Sequence, residues 1–102
     1  MEFLIQAHPL FVEQLDELSP DSKRILNNKI KLIKSNPFRN KRIQGYHLPL
    51  FRIRFEDNRK EKRMIYLVDK PCIKLICIID RDKDYKDLEE YLKRVGYSSR
   101  SL

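Results

Sequence analysis

The sequence predicts an α+β fold: an N-terminal strand and a helix hairpin packed on a mainly antiparallel, twisted sheet of about four strands, with a C-terminal helix. Apolar residues recur at helical spacing in residues 10–33 and again in residues 85–95, which is typical of amphipathic helices. Residues 51–56 alternate between apolar and charged side chains, which is typical of a half-buried strand. Because 102 residues suffice for one modest core, we expect a single domain over residues 1–97 and a short frayed tail over residues 98–102.

The first part of the chain predicts a strand followed by two helices. Residues 3–7 alternate as a short strand that ends at His8, for which we expect a structural role. Ser19 is the predicted N-cap of the second helix, with Pro20 at its first position. Pro37 ends that helix, because the residue before a proline avoids the helical region, and the short turn between the helices predicts an antiparallel hairpin. The inward-facing residues of the hairpin are Leu10, Phe11, Leu15, Leu18, Ile25, Leu26, Ile30 and Ile33.

The second half of the chain predicts a three-stranded antiparallel meander. Its first strand, residues 50–56, has apolar residues on one side and a basic outer face. A charged loop over residues 57–61 leads to a second strand over residues 62–68. The turn Asp69-Lys70-Pro71 then leads to a third strand over residues 73–80.

The last helix is predicted over residues 84–95. It has acidic residues early and Lys93-Arg94 late, which complements the helix dipole, and Gly96 follows its end. Its apolar side comprises Tyr85, Leu88, Leu92 and Val95.

Two cysteines, Cys72 and Cys77, lie on the third strand of the meander. Strict alternation along a strand puts residues five apart on opposite faces, so we expect no disulfide between them. No Cys-x-x-Cys pair occurs, and we expect no structural zinc and no other metal. Since the chain begins without a signal-peptide pattern and its longest apolar run, residues 75–79, is too short for a membrane span, we expect a cytoplasmic protein.

Positive charge is concentrated in the middle of the chain. Residues 23–63 hold 14 Lys/Arg and 3 Asp/Glu, whereas the remainder holds 8 and 12. Such a segment indicates a polyanionic partner, of which a phosphate backbone is the commonest, and the alternative is a solvated surface without a partner. The cluster Arg39, Lys41 and Arg42 fits a surface that binds RNA phosphates.

Four pieces in a fixed order carry a resemblance to a known family. After the helix hairpin come Leu50–Phe55 (LFRIRF), Arg63–Tyr66 (RMIY), Ile78–Arg81 (IIDR) and then Tyr85. Their order and spacing resemble the RelE/ParE superfamily, the toxins of type II toxin–antitoxin systems, and the RelE branch in particular. The resemblance implies helices packed on a twisted, mainly antiparallel sheet with a concave surface that faces RNA.

The resemblance to the RelE branch also implies an activity and partners. It implies a ribosome-dependent endoribonuclease, or mRNA interferase, that cuts mRNA in the ribosomal A site by attack of the ribose 2′-OH on the adjacent phosphate. It implies no metal, cofactor or small-molecule ligand, and a RelB-like antitoxin in a heterotetrameric complex. Carried over by position, the catalytic residues are Arg52, Arg54, Arg63, Arg81 and Tyr85.

The paired basic positions of the family often hold lysine, but this chain has arginine at both. Arginine stays protonated and makes a poor general base, although its planar fork suits the binding of phosphate oxygens. The residues that remain candidates for the base are Tyr85, His47, Glu56 and Asp80.

Two other functions remain open from the sequence. A ParE-type inhibitor of DNA gyrase would share the fold and act without nuclease activity, and a non-toxic nucleic-acid-binding domain would keep only the scaffold. Arginines that alternate with apolar residues along a strand most often form only the solvated face of a sheet, and this interpretation also applies to Arg52 and Arg54. We expect Tyr66 to be a packing residue with a hydrogen-bonded hydroxyl group and not a catalyst.

Overall fold

The computed structural model describes residues 2–80, 86–94 and 96. Along the chain the elements are β1 (Leu4–Ala7), α1 (Pro9–Asp16), α2 (Pro20–Ser35), β2 (Lys41–Arg42), β3 (Leu50–Asp57), β4 (Lys60–Asp69), β5 (Cys72–Asp80) and α3 (Lys86–Arg94). This order confirms the predicted α+β fold. None of the helices among the described residues is long and apolar enough to cross a membrane.

One five-stranded sheet, in the order β1-β5-β4-β3-β2, organises the molecule. Strands β3, β4 and β5 form the predicted antiparallel meander. β1 pairs with β5 in parallel, and β2 pairs with β3 in an antiparallel manner. The two-residue strand β2 raises the strand number above the expected four. It was not predicted because so short a strand has no detectable alternation.

The sheet buries both of its faces. On the face toward α1 and α2, which we call the hairpin face, Phe11, Leu26 and Ile33 pack against buried residues of the central strands. On the opposite face, which we call the α3 face, Leu88 and Leu92 of α3 cover a second cluster. That cluster includes Ile43, Leu50, Ile65, Leu67, Ile76, Cys77 and Ile79. The meander is therefore apolar on both sides over much of its length.

Side chains cap the N-termini of both hairpin helices, where the first main-chain N–H groups have no hydrogen-bond partner within the helix. The hydroxyl oxygen of Ser19 accepts a hydrogen bond from the N–H of Ser22 at 3.2 Å, which confirms Ser19 as the N-cap of α2. The imidazole Nδ1 of His8 accepts from the N–H of Leu10 at 3.1 Å and caps α1. The structural role expected for His8 is therefore confirmed.

The predicted charged loop over residues 57–61 is wrong, because only Asn58 and Arg59 lie outside the strands. Their φ angles are 50° and 67°, the left-handed combination that a two-residue type I′ hairpin turn needs. The sequence hid this turn because its second position is arginine and not the usual glycine. A two-residue turn sets the register between β3 and β4, in which Arg54 lies opposite Arg63.

A β-bulge in β5 overturns the expectation that the two cysteines face opposite sides of the sheet. Ile65 pairs with Cys77 but Tyr66 pairs with Leu75, so Ile76 is an extra residue. Ile76 and Cys77 both belong to the core of the α3 face. Because the bulge breaks the alternation, Cys72 and Cys77 lie on the same face. Both thiols are free, and burial raises the pKa of Cys77 to about 12.

Asp57, at the end of β3, ties the sheet to the start of α2. Its carboxylate is buried and accepts a hydrogen bond from the N–H of Ser19 at 3.1 Å. Burial acts to raise the pKa of Asp57, but hydrogen bonds from Ser22 and Ser19 and the charge of Lys62 outweigh it and hold the pKa below its usual value. The carboxylate is therefore charged at neutral pH beside a helix N-terminus, where a negative charge is favoured.

We expect Asp57→Ala to lower the free energy of unfolding by about 1.5–3 kcal/mol at pH 7, because it removes hydrogen bonds to a charged acceptor. A carboxylate with a lowered pKa stabilises the fold above its unfolded pKa and loses that effect as the pH falls through its folded value. The difference between wild type and variant should therefore shrink as the pH falls through the lowered pKa of Asp57. Urea denaturation from pH 7 to pH 3 measures it, and a difference that is constant with pH would show that the charge of Asp57 contributes nothing.

Candidate nucleic-acid interface

Three of the predicted catalytic residues, Arg52, Arg54 and Arg63, lie together on the α3 face. Arg52 and Arg54 of β3 alternate with Ile53, which is buried on the hairpin face. Arg54 is the direct partner of Arg63 on β4, and Arg52 is the partner of Ile65, a core residue of the α3 face. Side chains of direct partners leave the sheet on the same side with Cβ atoms about 5 Å apart. The pairing of β3 with β4 thus assembles one patch of guanidinium groups, which we call the arginine patch.

The arginine patch includes a compensating carboxylate. Arg54 and Arg63 are like charges opposite each other, an arrangement that by itself destabilises a sheet. Glu61 lies diagonally from Arg54, with its Oε1 atom 4.0 Å from Arg54 Nε. The side chain of Arg54 is 53% exposed and that of Glu61 is 29% exposed, so the guanidinium group keeps access to solvent. Arg63 is half-buried and its Nε atom is shielded from solvent.

Glu61 was not among the residues that sequence reasoning singled out. The predicted loop over residues 57–61 put it outside the strands, where it has no register with Arg54. Recognition of a two-residue turn at Asn58 and Arg59 was the signal that would have found it.

The predicted RNA-binding residues Arg39, Lys41 and Arg42 are all exposed, but they do not lie on one face. Lys41 is the partner of Arg52 and so leaves the sheet beside the arginine patch. Arg42 is the partner of Phe51, leaves the sheet toward the other side and donates from Nη2 to the His47 carbonyl oxygen at 3.2 Å. Arg39 lines a cleft on the hairpin side with Lys29 and Leu32, among others. The structure therefore places Lys41 beside the arginine patch and places Arg39 and Arg42 away from it.

The predicted candidates for a general base lie in different places. Glu56 is exposed and, two residues after Arg54 on the same strand, faces the same side. Asp80 lies on the hairpin side, where its Oδ1 atom is 3.3 Å from Lys62 Nζ. His47 is exposed in the segment between β2 and β3. Tyr85 and the predicted catalytic Arg81 lie outside the described residues.

Tyr66 is a packing residue, as predicted. It is fully buried on the hairpin face, and its ring stacks on that of Phe51 with centroids 5.5 Å apart. Its hydroxyl group donates to the Pro37 carbonyl oxygen at 2.7 Å and accepts from Asn40 Nδ2 at 3.2 Å. Burial raises the pKa of Tyr66 to about 12. The group is thus protonated at neutral pH and on the opposite face from the arginine patch.

We expect Tyr66→Phe to lower the free energy of unfolding by about 1–3 kcal/mol, because Asn40 and the Pro37 carbonyl lose a buried partner. It should leave unchanged the RNA binding that we expect of the arginine patch, because the hydroxyl group is on the other face of the sheet. Chemical denaturation and a filter-binding assay measure the two quantities. Weaker RNA binding by a stably folded Tyr66→Phe protein would show that the two faces are coupled.

No family model and no curated protein matches this sequence. Solved structures do match. A doubly substituted E. coli toxin RelE in its free state matches with a TM-score of 0.75 and 14% identity, over 93% of this chain and 99% of that one. A chain of the intact E. coli RelBE toxin–antitoxin complex matches with a TM-score of 0.68 and 14% identity, over 79% of this chain and 99% of that one. A chain of the RelE–RelB complex of Pyrococcus horikoshii OT3 matches with a TM-score of 0.56 and 15% identity, over 82% of this chain and 100% of that one. The described chain therefore has the fold of the RelE toxins.

Proposed function

We propose that this protein is the toxin of a type II toxin–antitoxin pair and that it cleaves mRNA on the ribosome. The observation that carries the proposal is the arginine patch on the α3 face of a RelE fold, with Arg54 and Arg63 in direct register. A compact set of guanidinium groups on a sheet surface, with Lys41 beside it, suits a phosphate backbone. Both a RelE toxin and RelE–RelB complexes are among the structures with this fold.

The proposed chemistry is attack of a ribose 2′-oxygen on the adjacent phosphorus. This reaction needs a base for the 2′-OH proton, cations for the charge that develops on the phosphorane, and a proton for the leaving 5′-oxygen. Arg52, Arg54 and Arg63 would supply the cations, since a guanidinium group binds two phosphate oxygens through parallel N–H bonds. With side chains as the cations, this scheme uses no metal ion. Arg81 and Tyr85 belong to the proposed site by their sequence position alone.

The proposed partner in the cell is a RelB-like antitoxin, in a heterotetrameric complex that restrains the toxin in the cytoplasm. The segment of residues 23–63, with 14 cations and 3 anions, favours an acidic segment that wraps around it. Such a chain would cover the arginine patch or displace α3. Expression of the toxin with its neighbouring open reading frame, followed by affinity purification, tests this. Normal growth of cells that express the toxin alone at high level, with no acidic protein copurified, would contradict it.

The function is tested by induced expression followed by primer extension on translated messages. Ribosome-dependent cleavage predicts cuts in phase with codons, present on translated mRNA and absent when the start codon is removed. A purified DNA gyrase supercoiling assay is the second arm, because a ParE-type toxin would inhibit supercoiling and leave mRNA intact. Cuts without codon phase, or inhibition of gyrase alone, would refute the proposed activity.

A further inference from the structure

Most carboxylates of the three central strands already have a partner. Asp57 accepts from Ser19, Asp69 lies 3.2 Å from Lys74, Asp80 lies 3.3 Å from Lys62, and Glu61 lies 4.0 Å from Arg54. The fifth, Glu56, has an exposed side chain, and only its main-chain oxygen is held, by the hydroxyl group of Ser22 at 3.0 Å. Of these five carboxylates, that of Glu56 has no ion pair with any described cation.

Glu56 borders the arginine patch on two sides. It follows Arg54 by two residues on β3, which places the two Cα atoms about 7 Å apart on one face. Its partner across the hairpin is Glu61, so Arg63 is its diagonal neighbour, also at about 7–8 Å. A phosphate bound between Arg54 and Arg63 would thus have its adjacent ribose within reach of the Glu56 carboxylate.

We propose that Glu56 is the general base of the cleavage reaction. This inference rests on the proposed function and assigns the general base, which the proposed function did not assign. The Glu56 carboxylate accepts the proton of the 2′-OH as the 2′-oxygen bonds to phosphorus. The bond from phosphorus to the 5′-oxygen then breaks, and that oxygen takes a proton from water. The products are a 2′,3′-cyclic phosphate and a 5′-OH, and the proton on Glu56 returns to solvent.

The neighbouring groups suit this role. Among the described residues of β3 and β4, the charged groups that face Glu56 are Arg54 on its own strand and Glu61 and Arg63 on β4. The three arginines of the patch cannot act as bases, because a guanidinium group keeps its proton. Glu61 is more buried than Arg54 and lies against its Nε atom, so it serves as a positioning residue for that guanidinium group. Among the described carboxylates of β3, β4 and β5, Glu56 is thus the exposed one beside the arginine patch.

The first test separates RNA binding from cleavage in the Glu56→Gln protein, with synthetic mRNA bound to ribosomes. Loss of a general base lowers the rate of the chemical step by about 10²–10⁴-fold. Removal of a negative charge beside a phosphate backbone should leave binding unchanged or make it tighter. Slow cleavage with undiminished binding is therefore the expected result. A faster rate than wild type would show that Glu56 acts only by repelling RNA.

The second test identifies the proton that Glu56 handles. In an mRNA with sulfur in place of the bridging 5′-oxygen, the leaving group needs no proton, so loss of a general acid is rescued and loss of a base is not. We expect Glu56→Gln to be slower than wild type by the same factor on both messages. Rescue by sulfur would overturn the assignment. Glu13→Gln, an exposed position on α1, is the matched control and should cut at the wild-type rate.

The failure of this inference is distinguishable from that of the proposed function. If wild type cleaves, Arg63→Ala does not, and Glu56→Gln cuts at the wild-type rate, only the base assignment is wrong. If wild type leaves ribosome-bound mRNA intact, both proposals are refuted. Because Glu56 is exposed, we expect its replacement by glutamine to leave the thermal midpoint unchanged, as is usual for a surface substitution.

Discussion

Arg63→Ala is expected to lower the rate of mRNA cleavage by about 10²–10³-fold, the usual cost of removing one preorganised donor from a site that stabilises developing charge. Arg63 is half-buried, its Nε atom is shielded from solvent, and its direct partner is Arg54. In the proposed reaction, a guanidinium group held in this way would meet the phosphorane without first having to be ordered. A ribosome cleavage assay measures the rate.

Two variants separate loss of chemistry from loss of fold. Arg63→Lys keeps the charge but loses the bidentate fork, so we expect an intermediate rate. Arg24→Ala removes the same side chain from the exposed surface of α2 and should cleave as wild type does. Circular dichroism and thermal melting establish that each protein is folded. Cleavage at the wild-type rate by Arg63→Ala would mean that the arginine patch is only a solvated face of the sheet.

Gln14→Ala should destabilise the fold strongly, because one carboxamide group closes the open edge of β5. β1 pairs with β5 only as far as Leu75, and Ile78 lies beyond that point. Gln14 Nε2 donates to the Ile78 carbonyl oxygen at 2.8 Å, and the Ile78 N–H donates to Gln14 Oε1 at 2.7 Å. Each of these main-chain groups, if left without a partner, costs about 1–3 kcal/mol. Urea denaturation measures the loss.

The Gln14→Glu protein is the informative control. At neutral pH its carboxylate still accepts from the Ile78 N–H but cannot donate to the carbonyl oxygen, so we expect a loss of stability nearer to that of Gln14→Ala than to wild type. An open strand edge also pairs readily with other chains, so both variants should show concentration-dependent association by size-exclusion chromatography. An unchanged free energy of unfolding in Gln14→Ala would show that water replaces the carboxamide at no cost.

Local features of the sequence determined the elements and most of their orientation. Helix caps and prolines act over one to four residues, so Ser19, Pro20 and Pro37 marked the bounds of α2. Alternation in β3 likewise predicted that Arg52 and Arg54 lie on the face opposite to Ile53, because neighbouring side chains of a strand leave it on opposite faces. Glu56 was one of four candidate bases that remained because arginine keeps its proton, and the sequence did not show which cations surround it.

Only the tertiary structure decided how the strands meet. The bulge at Ile76, the strand β2 and the carboxamide of Gln14 on the edge of β5 each depend on pairing between segments that are distant in sequence or that lack any local signal. The same holds for the register that puts Arg54 opposite Arg63, since it follows from a two-residue turn that contains no glycine. Local patterns determine which way a side chain points along its own strand. Its neighbours across the sheet are set by the pairing of whole strands, where a shift of one residue moves every side chain to the other face.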